Sequence, residues 1–212
     1  MGAAREFAAA GAVGGRIYVI GGCLPSSEPW AEALGPEEAD AWVPVASPFG
    51  IREKWMHGNV VLDGKLLAVA DHGGLLFDPA DGSWGPVSTI LDMGWKGRAA
   101  VVDGIIYSYD FLGKIKGFDP AADKWTEVEG VNEELPKFLS GATLADLSGR
   151  LCVLWEGKRV NGRSKEMEIM CAAIEVNKEE GGRLRGKIVW TEVIVLAVPK
   201  GSTVSHCLAV EI

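Results

Sequence analysis

Residues that could carry chemistry are few in this chain, and each candidate lacks a part. Gly181-Gly182-Arg183-Leu184-Arg185-Gly186-Lys187 satisfies the G-x-x-x-x-G-K spacing of a phosphate-cradling loop. Ile188, however, stands where Ser or Thr would reach a phosphate-bound metal, and no strand-to-helix context surrounds the run. His57, His72 and His206 are far apart, and two imidazoles meeting without a carboxylate make a weak metal site. Glu53-Lys54-Trp55-Met56-His57 offers Glu and His but no third ligand. There is no G-x-S-x-G nucleophile elbow, and the paired acids Glu37-Glu38 and Glu179-Glu180 read as solvated turn residues. Cys23, Cys152, Cys171 and Cys207 form no C-x-x-C, so they read as free thiols on strands, with Cys152 and Cys171 in neighbouring strands. The expectation is a chain that is not an enzyme, with no catalytic residue, no metal and no cofactor.

Recognition chemistry is better represented. Lys54-Trp55, Trp95-Lys96 and Lys137-Phe138 each stand just before an apolar run, at matching points of three successive segments. Aromatic rings and cations together supply contact area and directional polar contacts, the composition of a binding hot spot. The expected partner-binding face comprises Arg52, Lys54, Trp55, His57, Trp95, Lys96, Arg98, Tyr109, Lys114, Lys137 and Phe138. Packing of the same rings between sheets is the competing reading. On the binding reading, changing Trp95 and Arg98 together to Ala removes partner capture with little loss of fold.

The elements that hold these residues are set by a repeat. Phe77-Asp78-Pro79-Ala80-Asp81-Gly82-Ser83-Trp84 returns 41 positions later as Phe118-Asp119-Pro120-Ala121-Ala122-Asp123-Lys124-Trp125. Ahead of each octet, two apolar runs flank Asp63-Gly64 or Asp103-Gly104, a strong short hairpin signal because both turn residues tolerate positive φ. Looser copies use Gly14-Gly15 and Ser148-Gly149. The turn glycines 15, 64, 104 and 149 are 49, 40 and 45 residues apart; Trp42, Trp84, Trp125 and Trp190 are 42, 41 and 65 apart. The long last interval is assigned to one grown, charged turn. Each unit is expected to be four strands, the third ending near Asp-Pro and the fourth starting at the Trp. Gly21, Gly22, Trp42, Gly64, Trp84, Gly104, Trp125, Gly149 and Trp190 are the structural repeat positions, with Trp84 and Trp125 packing between sheets.

A period near 40 to 50 residues is that of propeller blades. The expected fold is all-β: a β-propeller of about four four-stranded blades, incomplete and open, in one domain over 1–212. Its repeats span approximately 8–47, 56–90, 96–130 and 139–195, with an extra strand at 203–211.

Composition fits this and excludes other classes. The chain has 212 residues, 48% apolar, with 28 glycines, which suits many short strands. No run approaches the roughly 20 apolar residues of a membrane helix, and no signal peptide, myristoylation motif or Asn-x-Ser/Thr acceptor is legible, so cytoplasm or nucleus is expected. A net charge of −8 argues against nucleic acid. Strand-order rules would gather Arg52, Lys54, Lys96, Arg98, Lys114, Lys116, Lys137, Lys158, Arg159, Arg163 and Lys165 at one end of the sheets, diluted by Glu53, Asp92, Glu133 and Glu134. Most turn acids go to the other end.

Ile17-Tyr18-Val19-Ile20-Gly21-Gly22, followed by a strand, an acidic turn and a Trp, resembles the kelch repeat. The runs Trp55-Met56-His57-Gly58-Asn59, Asp71-His72-Gly73-Gly74, Gly94-Trp95-Lys96-Gly97-Arg98, Tyr109-Asp110-Phe111-Leu112-Gly113-Lys114 and Pro136-Lys137-Phe138-Leu139 are similar to plant F-box/kelch-repeat proteins, in particular the Skp-interacting-partner type. Only the first repeat keeps the full glycine doublet, and no F-box is seen. The resemblance implies the substrate-recognition propeller of a ubiquitin ligase that binds an unidentified protein, without adaptor binding. Upstream blades and the F-box are expected to be missing, leaving open sheet edges prone to self-association. Two rival classes stay open: a kelch-type enzyme or metal-dependent specifier, and a structural or cytoskeletal scaffold.

Overall fold

The computed structural model describes residues 1–38, 41–52, 54, 56–71, 73–110, 112–131, 133–137, 139, 141–159, 166–199, 202, 204 and 207. Trp55, His72, Phe138, Arg163, Lys165 and His206 lie outside them, as does the expected strand at 203–211 apart from Val204 and Cys207. The strands are β1 (Ala9–Val13), β2 (Arg16–Ile20), β3 (Ala31–Leu34), β4 (Val43–Val45), β5 (Met56–Leu62), β6 (Lys65–Ala70), β7 (Leu75–Asp78), β8 (Ser83–Pro86), β9 (Ala99–Val102), β10 (Ile105–Tyr109), β11 (Ile115–Asp119), β12 (Lys124–Glu129), β13 (Thr143–Leu147), β14 (Arg150–Arg159), β15 (Glu166–Lys178) and β16 (Leu184–Pro199). Each consecutive set of four is an antiparallel meander; β1–β4 and β5–β8 are separate sheets, while β9–β12 and β13–β16 join through β12 and β16 into one eight-stranded sheet.

Local chemistry explains the meander. Four two-residue turns close the first hairpin of each meander, pairing Val13 with Arg16, Leu62 with Lys65, Val102 with Ile105 and Leu147 with Arg150. Both turn residues have positive φ in every case: 57° and 78° at Gly14-Gly15, 49° and 71° at Asp63-Gly64, 49° and 74° at Asp103-Gly104, 49° and 81° at Ser148-Gly149. That geometry matches the strand twist, and it is why Asp-Gly marks these turns. The octets close the third and fourth strands. Phe77 sits opposite Trp84 and Phe118 opposite Trp125, with ring centroids 4.5 and 5.4 Å apart. The Asp78 and Asp119 carboxylates accept from the Ala80 and Ala121 N–H at 3.0 and 3.1 Å, fixing the Asp-Pro turn between the aromatic partners.

The chain divides into two compact units, Met1–Gly97 and Arg98–Ile212. In the first, sheets β1–β4 and β5–β8 share a core of Tyr18, Ile20, Trp30, Met56, Leu66, Leu75 and Phe77. Trp84 joins them: its ring lies 6.0 Å from that of Trp30, and its indole N–H donates to the Ala46 carbonyl at 2.8 Å. In the second unit, Ile105, Tyr107, Ile115 and Val128 of one meander share a core with Leu144, Leu151, Val153 and Ile174 of the other. β12 and β16 also pair in parallel at Val128–Leu184 and Glu129–Arg185. Cys152 and Cys171 are buried free thiols on the adjacent strands β14 and β15. Burial of Tyr107, with a smaller push from Asp103, raises its phenol to about 12.

The fourth repeat differs from the sequence expectation. The 65-residue interval comes from lengthened strands, not from a grown turn: β15 has 13 residues and β16 has 16, joined by a short 3-10 turn at Glu180–Gly182. Trp190 therefore lies inside β16, opposite Ala173, instead of starting the strand. The G-x-x-x-x-G-K run forms that turn and the first residues of β16, so it builds no strand-to-helix loop.

A short helix, α1 (Thr89–Gly94), was also not anticipated. Ser88 caps it, its hydroxyl accepting from the Ile90 and Leu91 N–H at 3.1 and 3.4 Å. Ser88→Ala is expected to cost about 1 kcal/mol, read as a lowered urea midpoint without a change in slope.

Candidate functional site

In the first unit, a cleft of about 890 Å³ opens where the β2–β3 and β4–β5 connections meet the N-terminal segment. Its lining includes Arg5, Glu6, Cys23, Leu24, Glu28, Arg52 and Lys54. Two of these, Arg52 and Lys54, belong to the expected partner-binding face.

Arg5, which lines the cleft, is held in a buried ion pair with Glu32. Arg5 and Glu32 have side chains only 2% and 1% exposed, and their charged atoms meet at 2.7 Å. Arg5 further donates to the carbonyls of Gly21 and Trp30 at 2.7 Å each and of Pro29 at 2.8 Å, and to the Cys23 sulfur at 3.3 Å. Glu32 also accepts from the Gly2 N–H at 2.6 Å. Burial pushes the Glu32 carboxyl up, but the bonds from Gly2 and Arg5 outweigh it and hold the group below its ordinary value.

The Gly21-Gly22 doublet admits the N-terminal segment. Gly22 has φ +70°, and a Cβ there would lie 2.7 Å from the Glu6 carbonyl. The close approach is sealed by the Glu6 N–H donating to the Gly22 carbonyl at 2.6 Å.

At the rim, Arg52 is 9% exposed. Its guanidinium is ion-paired to Glu28 and donates to the Ser47 carbonyl at 3.1 Å, and it lies over the Phe49 ring at 5.6 Å. Its Nε has no hydrogen-bond partner among the described residues. Glu28 is the exposed half of the pair, at 69% of its side chain. Lys54 donates to the Gly73 carbonyl at 2.7 Å.

The remaining expected face residues are placed as follows. His57 is exposed on β5, beside a register shift between Met56 and Gly58. Lys96 is half-buried. Trp95 is 3% exposed, with its indole N–H on the Gly97 carbonyl at 2.9 Å. In the second unit, Arg98 donates to the Thr143 hydroxyl at 2.6 Å and to the Val204 carbonyl. Tyr109 packs against the core, Lys114 bridges both Glu127 oxygens at 2.8 and 2.9 Å, and Lys137 is exposed. Trp55 and Phe138 lie outside the described residues.

Two expectations are corrected by this placement. Trp95 is a packing residue, because an indole so buried has no surface left for a partner. The joint change of Trp95 and Arg98 to Ala therefore attacks the fold. Several cations expected to await a ligand are already engaged by acids or carbonyls, since a charged group at a loop entry neutralises the nearest polar atoms first. Arg5, Glu28 and Glu32 were missed. A lone Arg in an Ala-rich leader and a Glu in the apolar run Ala31-Glu32-Ala33-Leu34 were the available signals.

Among the described residues, no group of three or more His, Cys, Asp or Glu side chains is placed to hold a metal. The cleft lining carries the cations Arg5, Arg52 and Lys54 and the acids Glu6 and Glu28.

The FKB95 kelch-repeats domain matches residues 1–195. The chain belongs to this kelch family. The kelch chain is 30% identical to F-box/kelch-repeat protein At4g39240 of Arabidopsis thaliana, over 99% of its own length and 54% of that protein's. It is 32% identical to F-box/kelch-repeat protein At4g39550 of the same plant, over 97% and 53%. It thus spans about half the length of the curated relatives it matches. Among solved structures, YjhT matches at TM-score 0.50 and 14% identity, covering 88% of the kelch chain and 80% of YjhT. The fold class is accordingly the kelch-type β-propeller, with each four-stranded meander a blade.

Proposed function

We propose that the kelch chain is a non-enzymatic protein-interaction module, the substrate-recognition part of an F-box ubiquitin ligase acting in the cytoplasm or nucleus. The observation that carries this reading is the cleft at the loop end of the first two blades, where Arg52 and Lys54 are presented on rigidly anchored connections. Rigid scaffolds that present loop residues are the usual arrangement for recognition. Relatives named F-box/kelch-repeat proteins, about twice as long as this chain, supply the ligase context.

The test joins the kelch chain to the F-box segment of At4g39240 in a reconstituted ubiquitination reaction with plant extract as the source of substrates. Conjugates that appear only when the kelch chain is present are the expected result. An identical conjugate pattern from the F-box segment alone would sink the receptor reading.

A further inference from the structure

The Arg52–Glu28 pair is lopsided. The guanidinium is almost wholly withdrawn from water, while the carboxylate that neutralises it is 69% exposed. A buried cation stripped of its counter-ion is strongly unfavourable, so Arg52 requires an anion at all times. An exposed carboxylate, by contrast, recovers most of its hydration when it leaves. Demand at this position is therefore fixed, but the group that meets it is replaceable. The unpartnered Nε of Arg52 shows that Glu28 does not exhaust the donors of the guanidinium.

We propose that Glu28 is a resident stand-in for a partner's carboxylate, and that the cleft takes an acidic peptide segment which displaces Glu28 from Arg52. This rests on the protein-interaction reading above and names the chemistry of the partner. The arriving carboxylate takes the guanidinium and draws on Lys54, another cation lining the same cleft. Glu28 swings into solvent. Leu24, 70% exposed on the cleft wall, receives an apolar neighbour of the acidic residue. A volume of about 890 Å³ accommodates a few side chains, which suits a peptide segment.

The arrangement reverses the usual sense of a charge mutation. Glu28 competes for Arg52, so its removal strengthens binding by the reciprocal of the fraction of time Arg52 is free of it. Fluorescein-labelled hexaglutamate is titrated against the intact chain by fluorescence anisotropy. Glu28→Gln is expected to tighten binding about fivefold, the scale of one partly exposed ion pair. Glu37→Gln, an exposed acid outside the cleft, controls for net charge and should leave affinity unchanged. Arg52→Lys keeps the charge but loses the two-pronged geometry and should weaken binding, with thermal melts confirming that it and Glu28→Gln are folded.

Equal effects of Glu28→Gln and Glu37→Gln, or no measurable binding to Glu28→Gln, overturn the proposal. Either result leaves the conjugation assay standing. Conversely, hexaglutamate binding with chain-independent conjugation would sink the ligase reading alone.

Discussion

Arg5→Ala is expected to lower the stability of the first unit by about 3–5 kcal/mol, the cost of leaving a buried charge without its partner. Arg5 is held by three backbone carbonyls as well as Glu32, so the substitution removes four ties between the N-terminal segment and the first blade in one step. Arg5→Ala combined with Glu32→Gln should be less damaging than Arg5→Ala alone, because it leaves no stranded carboxylate. Urea denaturation followed by circular dichroism measures both. Equal losses for the single and double variants would show that the carbonyl contacts, and not the ion pair, carry the energy.

The pH dependence separates the cases further. In the native chain the Glu32 carboxyl lies below its ordinary value of 4.5. Its contribution is thus fully present above the unfolded-state value and lost as pH falls through the folded one. Without Arg5 the carboxyl loses its hydrogen bond and its counter-charge and rises relative to the native chain, so less of that contribution remains at neutral pH. The stability gap between the native chain and Arg5→Ala should therefore widen from acid to neutral pH, and a gap that stays constant would contradict the assignment.

Trp95→Ala is expected to cost a similar amount, about 3–5 kcal/mol, as for other large aromatic truncations in a core. The site is shaped around the indole. A Cβ at Gly58 would lie 2.2 Å from the Gly97 carbonyl that the indole bonds, and 3.3 Å from the indole nitrogen itself. The absence of a side chain on β5 is therefore part of how the turn after α1 closes over Trp95. Trp95→Phe retains most of the area and loses the hydrogen bond, and should fall between the native chain and Trp95→Ala in thermal unfolding. A native-like melt for Trp95→Ala would return this residue to the binding surface.

What the sequence made legible was local. The Asp-Gly hairpins and the paired octets are specified by residues two to seven positions apart, and each appears in the fold as a turn or a cross-strand pair. The fourth repeat departs from the expected grown turn because its charged residues lie on strands. Glu175, Asn177, Arg185 and Lys187 in fact occupy the solvent side of strands whose other side buries Ile174, Val176 and Leu184. Period-two alternation was present there and was outweighed by the charge. Part of the cleft was legible as well, in Arg52 and Lys54. Its ion pairings were not, because Glu28 and Arg52 are 24 residues apart and Arg5 and Glu32 are 27 apart. Such pairings depend on the register of β2 against β3 and on the path of the leader, which residue types alone do not encode.

The uneven strands of the last blade have a further consequence. At about 3.3 Å per residue, the five residues of β13 run roughly 17 Å and the sixteen of β16 roughly 53 Å. Such a meander is a wedge, short at its first strand and three times longer at its last. Growth of the chain is absorbed along the longer margin while the hairpin opposite keeps its two-residue turn and its register. Tolerance of added length in this architecture is graded across a blade, increasing strand by strand.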